Sequence, residues 1–248
     1  MLLEVKNLNL YYSERHVLKD VSFSLGEGEV LCIVGESGSG KTSILYSILG
    51  LLPAQARIEG SIKFMGREIV GLSEKEYRKI RGKDISIVFQ EPSVYLDPLF
   101  KVGEQIEEAY KAHFKDGKAK EKVLDALRKA GIYDGERVYE SYPHHLSGGL
   151  KQRVCIAIAL VCEPKLVLAD EPTTALDVSL QGRILQLFRN IKQEGKSVLL
   201  VTHDFGVVAE VADRVIVLKD GVVVEEGRVE DIFDRPKHPY TKELLSAI

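Results

Sequence analysis

The chain has 248 residues, which is enough for one large domain or two small ones and for a substantial buried core. Hydrophobic residues make up 45% of it and charged residues 29%, a balance that is ordinary for a soluble globular protein. The net charge of -3 and the isoelectric point near 6.1 give no electrostatic reason to expect nucleic acid as a partner.

Three features of the sequence favour a cytosolic location. No apolar run approaches the roughly 18 to 20 residues that span a bilayer, so any membrane spans are expected in other subunits. The N-terminus, MLLEVKNLNL, lacks the basic start and long apolar stretch of a signal peptide. Cys32, Cys155 and Cys162 lie among apolar neighbours without paired spacing, which predicts buried free thiols in a reducing compartment.

The N-terminal part of the chain predicts strands around one short helix. Residues 2–10 and 17–25 alternate in polarity, which is typical of antiparallel strands. Residues 29–34 are nearly all apolar, as expected of a strand that is buried on both faces. The other predicted elements here are a helix over 41–49 and strands at 58–64 and 85–89.

Helical spacing replaces this pattern between residues 92 and 159, and an apolar helix over about 150–161 is expected to be buried. Strands and helices then alternate: strands at 166–169, 198–202, 214–218 and 222–225, and helices near 179–193 and 204–212. Such alternation predicts a parallel sheet with helices on both faces. We therefore predict one α/β domain over 1–248, with a core of 1–91 and 160–248 and an inserted helical subdomain of 92–159.

Residues 35–42, GESGSGKT, fit the phosphate-binding loop pattern GxxxxGK[ST] between a predicted buried strand and a helix. Glycines let the backbone wrap closely so that N–H groups point at phosphate oxygens, and the helix N-terminus adds its positive dipole end. Lys41 would reach the β- and γ-phosphates, and the Thr42 hydroxyl would ligate Mg²⁺. The predicted cradle for the phosphates consists of Gly35, Ser37, Gly38, Ser39, Gly40, Lys41 and Thr42.

Two further segments carry groups suited to phosphate chemistry. Asp170 and Glu171 end a predicted strand, at the sheet edge where ligands bind. Asp170 would hold Mg²⁺ through its water shell, and Glu171 would orient or deprotonate the attacking water. Ser147, Gly148 and Gly149 open the long buried helix with an anion-receptive N-terminus. Taken by itself, each segment is more simply a helix cap. The functional interpretation of both depends on the phosphate loop in the same chain.

Together these motifs resemble those of ATP-binding cassette ATPases over essentially the whole chain. The motifs occur in that superfamily's order: the phosphate loop, VFQEP at 88–92, LSGGLKQR at 146–153, ADEPTTALD at 169–177 and VTHD at 201–204. LSGGLKQR is far more specific than the phosphate loop, because other phosphate-loop enzymes lack it. The resemblance implies an ATP-hydrolysing, phosphate-loop (RecA-like) α/β nucleotide-binding domain with an N-terminal antiparallel β subdomain and an inserted α-helical subdomain.

The resemblance also implies roles for single residues. Ser147–Gly149 would contact the γ-phosphate of ATP held on a partner cassette, and Asp177 would cross the dimer interface. Gln90 would sense Mg²⁺ and the attacking water, while His203 would contact the γ-phosphate. Tyr12 would stack on adenine. Tyr11 could do so instead, and a plain strand tyrosine is the simpler alternative.

Three segments are similar in particular to the oligopeptide, dipeptide and nickel importer ATPases: residues 90–106, 169–181 and 236–248. This implies a second ATPase cassette as partner (another copy or a related chain), transmembrane permease subunits, and an extracytoplasmic substrate-binding protein that acts indirectly. It also implies a peripheral location at the cytoplasmic face of the cell membrane. Most such ATPases continue past the HPYT segment into a cysteine-containing tail linked to an iron–sulfur cluster, for which this chain offers no assignable ligands.

Other functional classes remain as alternatives. A soluble, non-transport cassette ATPase usually carries two cassettes or a long coiled-coil insertion, and the sequence shows neither. A nucleotide switch without hydrolysis would not need Glu171, Gln90 and His203. The cargo stays open, because relatives of peptide importers also carry sugars and metals such as nickel.

Overall fold

A computed structural model describes residues 1–174 and 176–246, apart from the side chains of Pro92 and Ser93. Three residues lie outside the described part: Ala175, Ala247 and Ile248. The first belongs to the ADEPTTALD motif, and the other two end the 236–248 segment. The chain divides into two compact units. The first unit comprises Met1–Tyr77 and Ile191–Ile248, and the second comprises Arg78–Asn190.

The described residues form strands and helices throughout both units. In chain order, the strands are β1 (Leu3–Tyr12), β2 (Arg15–Leu25), β3 (Val30–Val34), β4 (Ala56–Phe64), β5 (Arg67–Glu68), β6 (Ile85–Val88), β7 (Leu166–Asp170), β8 (Ser197–Thr202), β9 (Arg214–Lys219) and β10 (Val222–Arg228). The α-helices are α1 (Lys41–Leu49), α2 (Glu74–Ile80), α3 (Pro92–Tyr95), α4 (Val102–Lys111), α5 (Ala119–Lys129), α6 (Gly135–Glu140), α7 (Gly148–Leu160), α8 (Val178–Gln193), α9 (Phe205–Val211), α10 (Val229–Asp234) and α11 (Pro239–Ser246). Within the described part of the chain, none of these helices has the length and apolar character needed to cross a bilayer.

β1 is the central strand of an antiparallel sheet in the first unit, between β2 and β4. Val5 and Leu8 are both buried although they are three residues apart, a spacing that would put them on opposite faces of a regular strand. A register shift between them, with φ 49° at Asn7, corrects the alternation. The antiparallel pair predicted from the alternating runs is confirmed.

β3 is the central strand of a parallel set in the same unit, with β8 and β9 on its two sides. All residues of β3 and β8 are buried, as the unbroken apolar runs predicted. β10 follows β9 through the turn at Asp220 and Gly221 and pairs with it antiparallel. Because Val34 is paired with Thr202, β3 and β8 end at the same edge of the sheet.

The second unit contains the parallel pair β6 and β7 together with the helices from α3 to α7. The predicted burial of the long apolar helix is confirmed, since most residues of α7 past Lys151 are buried. The helix begins at Gly148, slightly earlier than predicted, because Ser147 caps it. The predicted helical subdomain of 92–159 lies within this unit, and its limits stay a prediction.

The three cysteines are buried free thiols, as their apolar neighbours predicted. Burial raises the pKa of Cys155 to about 12 and that of Cys162 to about 11, and it also raises the pKa of Cys32. These thiols therefore stay protonated at neutral pH and act as small apolar core residues.

Candidate functional site

The phosphate loop and His203 directly follow two neighbouring strands in the first unit. Val34 and Thr202 are paired at the carboxyl ends of β3 and β8, and the loop and His203 follow them directly. His203 is exposed, while Asp204 caps α9 by accepting hydrogen bonds from two N–H groups of its first turn. The parallel register therefore brings two predicted phosphate-binding elements to one edge of the sheet.

Two glycines let the loop run close to its surroundings. A Cβ atom on Gly35 would lie 2.1 Å from the carbonyl oxygen of Leu218, so no other residue fits there without a shift of the backbone. Gly40 has φ 106°, in the region that favours glycine, and its Cβ would lie 2.7 Å from Leu18 Cδ2. The Ser39 carbonyl also accepts a 3.0 Å hydrogen bond from the N–H of Gly221. These contacts fix the course of the loop backbone.

Lys41 spans the loop from the first turn of α1. It is only 5% exposed, and its Nζ donates to the carbonyl oxygens of Gly35 at 2.7 Å and Glu36 at 2.9 Å. Ser39 Oγ is buried and has no hydrogen-bond partner among the described residues. A buried ammonium and an unsatisfied hydroxyl at a helix N-terminus suit an anion with several oxygens. The loop therefore fits the triphosphate of ATP.

Tyr11 and Tyr12 differ in how their rings are placed. The Tyr11 ring stacks on His16, with centroids 4.2 Å apart, and the Arg57 guanidinium lies 4.3 Å from the Tyr11 centroid. Both tyrosines are half-buried, but these contacts occupy the ring of Tyr11, so Tyr12 is the better candidate for stacking on adenine. The role of Tyr12 stays a prediction.

Gln90 and the two acidic residues lie at neighbouring strand ends in the second unit, with Asp170 as the last residue of β7. Val88 in β6 and Ala169 in β7 are paired in parallel, so Gln90 and Glu171 each lie two residues beyond that pair. Gln90 is exposed, Glu171 is half-buried and Asp170 is only 6% exposed. Carbonyl and carboxylate oxygens such as these are the ligands that Mg²⁺ prefers. Thr42, the remaining predicted ligand, also offers oxygen and belongs to the first unit.

Glu171 has an unusual backbone conformation. Its φ of 42° lies in the left-handed region, which costs a non-glycine residue about 1–3 kcal/mol and often marks functional sites. Thr174 Oγ1 donates to Glu171 Oε2 at 2.9 Å, and the Thr174 N–H donates to the Glu171 carbonyl at 3.2 Å. Thr174 therefore holds both the backbone and the carboxylate of the predicted base.

Ser147–Gly149 and Asp177 line one pocket of about 580 Å³ in the second unit. Ser147 Oγ accepts an N–H bond of 3.4 Å in the first turn of α7, and Asp177 Oδ1 accepts one of 2.9 Å in the first turn of α8. Two helix N-termini therefore border the pocket. Arg153 and Arg183 add positive charge to its lining, which makes the pocket suitable for an anionic group.

Two residues that hold site groups were missed by sequence reasoning. One is Thr174, which lies within the ADEPTTALD motif. The other is Tyr240, whose hydroxyl accepts a 3.2 Å hydrogen bond from the N–H of Glu36, a residue 204 positions earlier in the chain. Both belong to recognisable motifs, ADEPTTALD and HPYT, but a motif does not say which group a side chain reaches.

The sequence is similar to known families over most of its length. Residues 18–174 match the ABC transporter family, and residues 224–248 match the C-terminal region of oligopeptide/dipeptide transporters. The chain is 45% identical over 256 residues to the oligopeptide transport ATP-binding protein AppD of Bacillus subtilis (strain 168), covering 100% of this chain and 78% of AppD. It is 48% identical over 257 residues to the dipeptide transport ATP-binding protein DppD of the same organism, covering 100% of this chain and 76% of DppD.

Solved structures share the fold. One is a dimeric structure of a post-hydrolysis state of the ATP-binding cassette MJ0796 bound to ADP and Pi, with 35% identity, a TM-score of 0.78 and coverage of 92% of this chain and 99% of that one. Another is cbiO1 from Clostridium perfringens, part of the ABC transporter complex cbiONQ, with 33% identity, a TM-score of 0.82 and coverage of 94% and 91%. These similarities confirm the predicted fold class.

We expect Gly35→Ala to weaken ATP binding and to destabilise the protein by about 1–3 kcal/mol, because its Cβ would collide with the Leu218 carbonyl. Gly182→Ala in α8 is the matched control, since a Cβ there meets no atom within 4 Å. That change should leave ATP binding intact and stabilise the helix by up to about 1 kcal/mol. Calorimetry with ATP and thermal unfolding measure both effects, and an unchanged ATP affinity in Gly35→Ala would contradict the expected role of the loop.

Proposed function

Because the chain belongs to the ABC transporter family, we propose that it binds and hydrolyses ATP to power the import of oligopeptides or dipeptides. The observation that carries the proposal is the phosphate loop after β3, where the buried Lys41 ammonium meets the N-terminus of α1. The names of the relatives and the match over 224–248 favour peptides over sugars or nickel as the cargo.

In this proposal, the phosphate loop binds the nucleotide and Lys41 neutralises its terminal phosphates. N–H groups of the loop would donate to phosphate oxygens, as the loop pattern requires. Lys41 Nζ now bonds to the carbonyl oxygens of Gly35 and Glu36. These carbonyls hold the ammonium across the loop, and the charged phosphate oxygens of a bound nucleotide would add strong acceptors to it.

Glu171 is the proposed general base. Its carboxylate takes a proton from the attacking water as the water oxygen bonds to the γ-phosphorus and the bond to the β–γ bridging oxygen breaks. The Thr174 hydroxyl keeps the carboxylate in position. The Gln90 side chain is proposed to contact the attacking water, and the His203 side chain is proposed to contact the γ-phosphate.

The oxygens of Thr42, Gln90 and Asp170 are the proposed ligands of Mg²⁺. A bound Mg²⁺ would supply positive charge to the β- and γ-phosphate oxygens. The low exposure of Asp170, at 6%, suits a carboxylate that holds an ion through its water shell.

A second cassette is proposed to complete each ATP site. The pocket lined by Ser147–Gly149 and Asp177 would receive the γ-phosphate of ATP held by the partner's phosphate loop, with Arg153 and Arg183 adding positive charge. For the purified protein, the proposed partner is a second copy of this chain. The related cassette MJ0796 forms a dimer in its solved structure.

The segment around residues 94–100 is the proposed contact with membrane permease subunits. Its exposed apolar side chains are those of Val94, Tyr95, Leu99 and Phe100. The Tyr95 ring stacks on Phe89, next to Gln90, with centroids 4.1 Å apart, so a movement at Gln90 can reach this segment. In this arrangement the chain sits at the cytoplasmic face of the membrane, and a substrate-binding protein delivers the cargo from the other side.

We expect Lys41→Ala to weaken binding of ATP·Mg by roughly 10- to 100-fold, because a charge-assisted hydrogen bond contributes about 1.5–3 kcal/mol. Lys75→Ala, at an exposed position in α2, is the control and should bind normally. Calorimetry measures both affinities, and circular dichroism checks the fold. An undiminished affinity in Lys41→Ala would remove the lysine from the site.

We expect Glu171→Gln to accumulate as a dimer with ATP, because glutamine keeps the shape of the side chain but cannot act as the base. Size-exclusion chromatography should show this shift, while the parent protein with ADP stays monomeric. Adding Ser147→Arg should abolish the shift by filling the space that the partner's γ-phosphate needs. If Glu171→Gln remains monomeric at high protein and ATP concentrations, the pairing of two copies is wrong.

A further inference from the structure

We propose that Tyr240 is a positioning residue for the phosphate loop. Its hydroxyl orients the peptide group between Gly35 and Glu36, and through that peptide it orients the carbonyl that holds Lys41. The inference rests on the proposed function, since it concerns how the same loop binds ATP. Tyr240 lies in α11, within the region that matches the C-terminal region of oligopeptide/dipeptide transporters.

One peptide group connects Tyr240 to Lys41. The N–H of Glu36 donates to Tyr240 Oη at 3.2 Å, and the carbonyl of Gly35, on the other side of the same peptide bond, accepts from Lys41 Nζ at 2.7 Å. Because a peptide unit is planar, a rotation that breaks the first bond also turns the carbonyl away from Lys41. Hydrogen bonds linked in this way also polarise and strengthen each other.

The side chain of Tyr240 is held firmly. It is only 3% exposed, and Lys219 Nζ lies 4.4 Å from the centroid of its ring. The N–H of Tyr240 donates to His238 Nδ1 at 3.1 Å, which fixes the backbone at the start of α11. Burial raises the pKa of Tyr240, so the phenol stays neutral at physiological pH and keeps a lone pair for Glu36.

β10 anchors the segment that precedes α11. Glu225 Oε1 accepts from the N–H of Lys237 at 2.8 Å, and Glu225 Oε2 accepts from the N–H of His238 at 3.0 Å. Burial acts to raise the pKa of Glu225, but hydrogen-bond donors that include these N–H groups outweigh it and lower the pKa. The carboxylate is therefore charged at neutral pH, and charge-assisted bonds are the stronger kind. Glu225 thus fixes the start of α11 and, through it, the position of the Tyr240 ring beside the phosphate loop.

Tyr240→Phe removes the hydroxyl and keeps the ring. The Glu36 N–H then loses its acceptor, and the Gly35 carbonyl is no longer held towards Lys41. We expect the Kd for ATP·Mg and the KM for ATP to rise about three- to tenfold, the effect of one lost hydrogen bond. The kcat should change little, because Glu171 and the groups assigned to the attacking water are unaltered.

Tyr77→Phe is the matched control. Tyr77 is 7% exposed in the same unit, and its hydroxyl donates to the Ile69 carbonyl at 2.8 Å. This change should lower the melting temperature without altering ATP affinity. Glu225→Ala is a second test, because it releases the start of α11 without substituting Tyr240 or any residue of the loop. It should also raise the Kd for ATP·Mg.

Calorimetry on the parent protein comes first. If the parent does not bind ATP, the proposed function itself fails, and this inference fails with it. If the parent binds ATP and both Tyr240→Phe and Glu225→Ala bind it equally well, only the role of Tyr240 is wrong. A Tyr240→Phe protein that loses thermal stability without any rise in Kd or KM, as expected for Tyr77→Phe, would also overturn the inference.

Discussion

The Lys41 ammonium is the group on which the rest of the site depends. It is almost completely buried, and the carbonyls of Gly35 and Glu36 hold it across the loop. Burying an ammonium is costly unless strong partners surround it. The loop meets that demand because its glycines let the backbone turn tightly and bring these two carbonyl oxygens to the ammonium. The N-terminus of α1, which begins at the lysine, is itself positive and adds to the attraction for an anion. A phosphate that enters the loop meets a positive charge already in place, so little reorganisation is needed on binding.

The second unit repeats the same physical solution with different residues. Helices α7 and α8 both begin at the pocket lined by Ser147–Gly149 and Asp177, and two arginines add charge there. The chain as a whole is slightly acidic, so this positive lining is a local feature rather than a property of the whole surface. One chain therefore carries two places that suit phosphate. Glu171, with its left-handed backbone and its hydrogen bond from Thr174, is the proposed base and lies outside both places.

The sequence predicted the parts of this site that are built from local patterns. The apolar runs of β3 and β7 predicted buried strands, and the loop and the carboxylates lie at the carboxyl ends of these strands. Contacts between distant segments could not be predicted, because no local periodicity encodes them: the Glu36–Tyr240 hydrogen bond joins residues 204 positions apart. Short elements such as β5 and α10 were also missed, since two to six residues hold too few repeats to show a pattern. The shift at Asn7 depends on pairing with β2 rather than on sequence spacing alone.

The most direct test of ATP shared between two copies is ATP hydrolysis in a mixture of two inactive variants. Lys41→Ala damages the phosphate loop, and Ser147→Arg fills the pocket that is proposed to receive the partner's γ-phosphate. A mixed dimer contains one ATP site in which both defects coincide and one in which neither occurs. If each site is built from two copies, the mixture should hydrolyse ATP although neither variant does so alone. If mixed dimers form but do not hydrolyse ATP, the claim that each ATP site is built from two copies is contradicted.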